Sequence, residues 1–211
     1  MSFEVLSVLG VGLLLGFRHS FDPDHFIAVS TIATRTGNAL KSAVSGIFWG
    51  SGHTLMLLMI GMPLVMMKTA VPPRLELIME CTVGVMLIVL GWTSIRTFRK
   101  QTEDKRGGSF EKPAQQLNLQ SFFVGMVHGM AGSGALVLLT MSTLKDWTEA
   151  VLYILVFGCG TVGGMAFFAL VIGLPFTFAG RFDRLRRTLG IGAGVASLLF
   201  GIFYIQDILL S

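Results

Sequence analysis

Residues 18–25 read Arg18-His19-Ser20-Phe21-Asp22-Pro23-Asp24-His25, which gathers two imidazoles, two carboxylates and a guanidinium within eight positions. Imidazole and carboxylate are common donors to divalent transition metals. The segment interrupts apolar sequence, with residues 5–17 before it and 26–32 after it. An ionisable side chain at membrane depth costs roughly 2.5 kcal/mol or more, so such groups persist where they line a cavity and act on something. The remaining histidines, His53 and His128, also fall in apolar stretches, so none of the four lies in a loop. The candidate metal-ligating residues are therefore His19, Asp22, Asp24, His25, His53 and His128.

On a regular helix, His19, Asp22 and His25 share one stripe about 120° wide, and Asp24 points elsewhere. Pro23 lacks an N–H and disturbs that turn, so local unwinding could swing Asp24 inward. Two other roles stay open for the carboxylates. Asp22 could pair with Arg18, four residues back, and Asp24 could orient an imidazole instead of ligating. His53 follows Gly50-Ser51-Gly52, whose small side chains leave room for its ring. His128 opens the run Gly129-Met130-Ala131-Gly132-Ser133-Gly134-Ala135. Ser51, Ser133 and Thr161 could add oxygens or simply bond between helices. Met56, Met59, Met62, Met66 and Met67 form a stripe read as packing, with a Cu(I) path as its rival. Cys81 and Cys159 stand apart with no CxxC and read as packing residues.

The elements that must position these groups are membrane helices. Hydrophobic residues make up 53% of the 211 and charged residues only 13%, with a mean hydropathy of +0.73. A soluble domain carries about 25% charged residues, so the expected fold is an all-α integral membrane protein. Six stretches, 4–30, 42–67, 75–97, 119–143, 150–178 and 188–210, approach the roughly 20 apolar residues that a span needs. The N-terminus lacks the basic start and small-residue cleavage site of a signal peptide, so the first stretch is expected to remain as a span. Twelve of the sixteen basic residues cluster in three inter-span segments: Arg35 and Lys41; Arg96 to Lys112; and Arg181 to Arg187. The positive-inside rule then puts those segments in the cytoplasm and both termini outside. This charge reads as topology and lipid contact, not nucleic-acid binding.

The two halves resemble each other. Gly16-Phe17-Arg18-His19 aligns with Gly125-Met126-Val127-His128, and Gly50-Ser51-Gly52-His53 with Gly158-Cys159-Gly160-Thr161. Ile60-Gly61-Met62-Pro63 aligns with Ile172-Gly173-Leu174-Pro175, and Gly84 and Gly91 with Gly194 and Gly201. The expected organisation is a three-helix repeat over 1–99, a flexible cytoplasmic linker over 100–118 and a second three-helix repeat over 119–211. An odd number of spans per repeat inverts the second half, the plan of many secondary transporters. Pro23, Gly129, Gly132 and Gly134 would interrupt the helices that hold the site.

The motif His19-x4-Asp24-His25, with Arg18 before it and Thr34-Arg35 after it, resembles the defining pattern of the nickel/cobalt transporter family. Six spans and the His128-Gly129-Met130-Ala131-Gly132-Ser133-Gly134 run look like its UreH-like branch of urease-associated nickel permeases. The chain departs from the wider pattern at Pro23, and it lacks the acidic second motif of the eight-helix members. The resemblance implies uptake of Ni2+ or Co2+ as substrate through a bacterial cytoplasmic membrane, with no resident cofactor. It also implies a functional link to nickel enzymes such as urease, and it singles out His19, Asp24 and His25. The expected activity is transport rather than catalysis. The alternatives are a metal exporter or other small-ion permease, and a membrane haem protein with axial histidines.

Overall fold

The dipeptide Asp22-Pro23 sets the first local structure. A proline disfavours the α conformation in the residue before it, and Asp22 is extended at φ −60°, ψ 143°. In the computed structural model, which describes residues 3–103, 114–131, 147–179 and 183–210, the expected span 4–30 is therefore two helices. The first, α1 (Phe3–His19), closes on three-residue turns, Ser20 N–H to Phe17 O at 3.3 Å and Phe21 N–H to Arg18 O at 2.9 Å. The second, α2 (Pro23–Thr36), starts with its proline in the first turn, where no N–H is needed. It ends at Gly37, whose φ of +58° is the left-handed conformation that glycine adopts freely. The single-helix stripe expected for His19, Asp22 and His25 is thus replaced by a break at Ser20-Phe21-Asp22.

Five further helices complete the described residues: α3 (Ala39–Met67), α4 (Pro73–Glu103), α5 (Ala114–Ala131), α6 (Trp147–Ala179) and α7 (Asp183–Leu210). Asn38 caps α3 by accepting from the N–H groups of Leu40 and Lys41 at 2.9 and 3.1 Å. The expected linker 100–118 is helical at both ends, because α4 runs to Glu103 and α5 begins at Ala114. Arg35 sits in α2, not in a loop, and donates to Thr93 Oγ1 at 2.6 Å and Leu90 O at 3.2 Å, tying α2 to α4. Gly132, Ser133, Gly134 and Ala135 lie outside the described residues.

Length shows how α1 and α2 fit the bundle. At 1.5 Å per residue, α3 is about 43 Å long, whereas α1 and α2 are about 25 and 21 Å. The two short helices in series match the reach of α3 alone. Windows within α3, α4, α6 and α7 are long and apolar enough to cross a membrane, and α1 is a shorter apolar helix. Only 22–44% of those windows is buried inside the protein, so most of their apolar surface faces outward. Exposed Leu14, Phe123, Val89, Phe178 and Phe203 belong to that surface. Lipid tails, not water, are the solvent it suits, and the chain is a multi-pass membrane protein. Met59, Met66 and Met67 lie on the same exterior. Cys159 is exposed there instead of packing inside, and both cysteines are free thiols.

Glycines bring the helices together. A methyl group added at Gly16 (α1) would overlap the Phe157 carbonyl of α6, and one at Gly160 (α6) the Leu13 carbonyl of α1. The same reciprocal fit joins α5 and α3: Gly125 lies against the Trp49 carbonyl, and Gly52 against the Phe122 carbonyl. A third fit joins α4 and α7, where Gly84 faces Gly201 and Gly91 faces Gly194. Each position in one contact has its counterpart 108 to 110 residues along the chain in another. The contact order makes α1 parallel to α6, α3 parallel to α5, α3 antiparallel to α6, and α4 antiparallel to α7. Backbone approach of this kind is how helices associate where burial of apolar surface supplies little force.

Substituting these glycines therefore has a predictable sign. Gly125→Val and Gly52→Val force backbones apart and should destabilise the fold by about 1–3 kcal/mol or more. Gly10→Ala and Gly192→Ala meet no atom within 4 Å and should be neutral or stabilising by up to about 1 kcal/mol through helix propensity. Thermal melting of the detergent-solubilised variants, followed by monodispersity on gel filtration, checks both.

Candidate metal centre

The break between α1 and α2 brings chain ends to the middle of the bundle. His19 is the last residue of α1, and Asp24 and His25 lie in the first turn of α2. His53 stands at the midpoint of α3, with about 21 Å of helix on either side. His128 comes from the last turn of α5. The carbonyl end of α1 and the amide end of α2 thus face the same region. Such interrupted helix ends offer oriented partial charge to ions and side chains.

The four histidines converge. Ring centroids are 4.7 Å apart for His19 and His25, 5.1 Å for His19 and His53, 5.6 Å for His25 and His53, and 4.0 Å for His25 and His128. His25, His53 and His128 are 1%, 0% and 2% exposed. The His19 side chain is 23% exposed. Among the described residues, two groups have potential ligand atoms within 4.8 Å of one another: His19, His25 and His53; and Asp24, His25 and His128. His25 belongs to both. Five of the six residues expected from the sequence therefore meet, and Asp22 is in neither group.

The carboxylates hold the rings. Asp24 Oδ1 accepts from His25 Nδ1 at 3.0 Å and from the His25 backbone N–H at 2.9 Å. Its Oδ2 lies 2.6 Å from His128 Nε2. An ionised carboxylate only accepts, so these ring nitrogens carry the protons. Asp22, half exposed, takes His19 Nδ1 at 2.8 Å, in place of the Arg18 pairing that their spacing allows. This use of its carboxylate also explains why Asp22, although at the N-cap of α2, makes no side-chain cap bond. Asp24, expected to face away on a regular helix, turns inward because the helix restarts at Pro23.

The opposite nitrogens are left open. His25 Nε2, both nitrogens of His53 and His128 Nδ1 are buried and have no hydrogen-bond partner among the described residues. Native proteins rarely leave so many buried polar atoms unsatisfied in one place, and each normally costs stability. In a neutral ring whose far nitrogen donates to a carboxylate, the open nitrogen is a lone pair. Open nitrogens on rings this close together, with carboxylates holding the rings, are the arrangement that orients histidines toward a metal.

The hydroxyls expected as extra ligands are otherwise engaged. Ser51 Oγ donates to Ile47 O at 2.8 Å, and Thr161 Oγ1 to Phe157 O at 3.0 Å, each within its own helix. Ser133 lies outside the described residues. Two aromatic neighbours join the site without a signal in the histidine motif. Trp49 stacks on His25, with ring centroids 6.0 Å apart and an interplanar angle of 15°. Phe157 lies against His19 at 5.7 Å. Trp49 sits four residues before His53 on the same helix face, a spacing that could have identified it.

Among curated proteins, the chain is similar to the urease accessory protein UreH of Bacillus sp. (strain TB-90), with 38% identity over 212 aligned residues, 97% of this chain and 93% of that protein. It is also similar to two chloroplast proteins of Arabidopsis thaliana, FOR GROWTH AND FERTILITY 2 and FOR GROWTH AND FERTILITY 1, with 26% and 24% identity over 81% and 77% of this chain. The chain spans about half, 48%, of each of those two. No family model and no solved structure matches it. Similarity of this extent to the first of these proteins means that the chain belongs to the family of the urease accessory protein UreH.

Proposed function

We propose that the protein is a secondary transporter carrying Ni2+ or Co2+ into the cytoplasm through the histidine cluster at the centre of its helix bundle. The observation that carries this reading is the convergence of four imidazoles, three of them fully buried and several with open nitrogens, at mid-depth in an apolar bundle. Nitrogen and oxygen donors without thiolate suit Ni2+ and Co2+. Family membership with a urease accessory protein agrees, because urease is a nickel enzyme. Direct contact between the rings leaves no slot for a porphyrin between the neighbouring pairs, which disfavours the haem alternative.

In this reading His19, His25 and His53 take the ion, with Asp22 and Asp24 orienting His19 and His25 from behind. His128, held by the same Asp24 carboxylate, completes the cluster and forms the second ligand group with Asp24 and His25. The matched glycine contacts and the antiparallel pairs α3/α6 and α4/α7 support two inverted repeats, 1–99 and 119–211, that meet around the site. With α1 and α2 counted as one broken span, the plan has six spans and both termini outside a bacterial cytoplasmic membrane. Rocking of one repeat against the other would then expose the cluster to each side in turn. A divalent cation moving down an inside-negative potential gains about 4.6 kcal/mol per 100 mV. This is roughly three decades of accumulation, enough for uptake without ATP.

Radiolabelled Ni2+ and Co2+ uptake in cells expressing the protein tests the assignment. His25→Ala and His53→Ala should each reduce uptake at least tenfold, whereas Ser51→Ala, whose hydroxyl bonds only its own helix, should leave it near wild type. Wild-type cells that accumulate neither metal above the vector control would rule the transport reading out. Protons and metal compete for the same imidazole lone pairs, so uptake should fall as the medium is acidified and recover on return to neutral pH. A protease-cleavable tag at the C-terminus should be cut in intact spheroplasts; protection of that tag would reverse the assigned topology.

A further inference from the structure

A second feature lies beside the histidine cluster. Leu57, Tyr153, Ile154 and Phe157 form a buried apolar cluster, with Val8, Leu9, Leu15 and Leu58 packed against it. Its position follows from helix register. Leu57 is one turn beyond His53 on α3, the ring of Phe157 lies against His19, and Tyr153 is one turn before Phe157 on α6. Tyr153 also packs over Gly12, two turns before His19 on α1. A methyl group there would come within 2.7 Å of its ring. The cluster is therefore a collar between the histidines and the face of the bundle where α1 and α6 begin and α3 ends. In the proposed topology that is the outer face.

The side chains of this collar are hydrocarbon with one exception, the hydroxyl of Tyr153. That residue is 2% exposed, and its hydroxyl has no hydrogen-bond partner among the described residues. Phenylalanine would fill the same volume without the cost of a buried unsatisfied hydroxyl. The ring is also held in place, since Gly12 supplies the space it occupies. By contrast Ser45, 108 residues earlier and at the corresponding register of α3, has its hydroxyl bonded to Asn118 Oδ1 at 3.0 Å. The open hydroxyl is thus a property of one end of the bundle.

A hydrated divalent cation cannot pass an apolar constriction without oxygen to replace the water it sheds. We infer that Tyr153 lies on the entry path, its hydroxyl oxygen standing in for a lost water as the cation crosses the collar toward His19 and His53. This inference rests on the transport reading above. It assigns Tyr153 a part in passage and none in retention at the cluster.

Tyr153→Phe separates these possibilities. Three readouts are compared with wild type: initial uptake of radiolabelled Ni2+ and Co2+ in cells, Ni2+ affinity of the purified protein by calorimetry, and melting temperature. The expected result is uptake at least fivefold slower, unchanged Ni2+ affinity, and a melting temperature equal to or a few degrees above wild type. Uptake equal to wild type overturns the inference, and so does a parallel loss of Ni2+ affinity, which would make the tyrosine a support of the cluster. A wild type that moves neither metal removes the transport reading and this inference with it. A wild type that transports beside an equally active Tyr153→Phe removes this inference alone.

Discussion

The carboxylate of Asp24 has two oxygens and three donors to satisfy, and the rest of the centre is arranged around that fact. One oxygen takes both the ring and the backbone of His25, and the other takes His128 from a helix more than 100 residues away in sequence. A carboxylate at membrane depth without such partners would be costly. Fully engaged, it fixes the orientation of two rings and leaves one nitrogen of each buried and unpaired within the cluster. The geometry requires Asp24 to face the bundle interior, which a continuous helix through residues 18–25 would forbid. The break at Asp22-Pro23 is thus a condition of the site, and the stripe of α1 alone could not supply it.

Much of this is legible in the residues. Apolar runs with histidines inside them indicate the class and the candidate ligands, because a titratable side chain is too costly in lipid to persist there without a partner or a task. Proline chemistry indicates where the first helix is disturbed. Its full consequence needs the backbone: an extended Asp22 ends one helix and begins another, whereas angles on one regular helix give the inward face to Asp22 and not to Asp24. Arg35 looks like a loop charge in the sequence, although its guanidinium reaches Thr93 and the Leu90 carbonyl across the α2–α4 interface. Pairings of that sort depend on which helices become neighbours, and periodicity within one helix carries no such information. Phe157 does not stand out in the sequence because aromatic residues are common in apolar helices, and only its contact with the His19 imidazole distinguishes it. Trp49 has one sequence cue, its place one turn before His53 on the same helix face.

Close approach of backbones explains why the rings can meet at all. His53 reaches His19 and His25, and Trp49 reaches His25 and His128, beside a contact that Gly52 and Gly125 close between α3 and α5. Gly16 and Gly160 do the same for α1 and α6, which brings Phe157 against His19. Larger side chains at these positions would move the helices apart by more than a metal–ligand bond can tolerate. The glycines therefore act on the chemistry through distance, without contributing a donor.

The correspondence between positions about 108 residues apart is incomplete where it matters for chemistry. His19 has its counterpart in His128, but His53 has Thr161 and Trp49 has Phe157. His53 and Thr161 are both fully buried, yet Thr161 bonds its own helix while both nitrogens of His53 remain open. The first half thus supplies three of the four open nitrogens and His128 the fourth, whereas α6 supplies a packed aromatic wall and a satisfied hydroxyl. Two equal sites would hold an ion with equal ease from either side. A cluster displaced toward one set of helices instead has unlike surroundings at its two ends, an apolar collar with Tyr153 at one and the bonded Ser45–Asn118 pair at the other. Unlike surroundings let an ion meet different barriers in the two directions, although net direction is still set by the gradient and the membrane potential. On the transport reading, the loss of strict equivalence between the halves is what allows entry and release to be tuned separately.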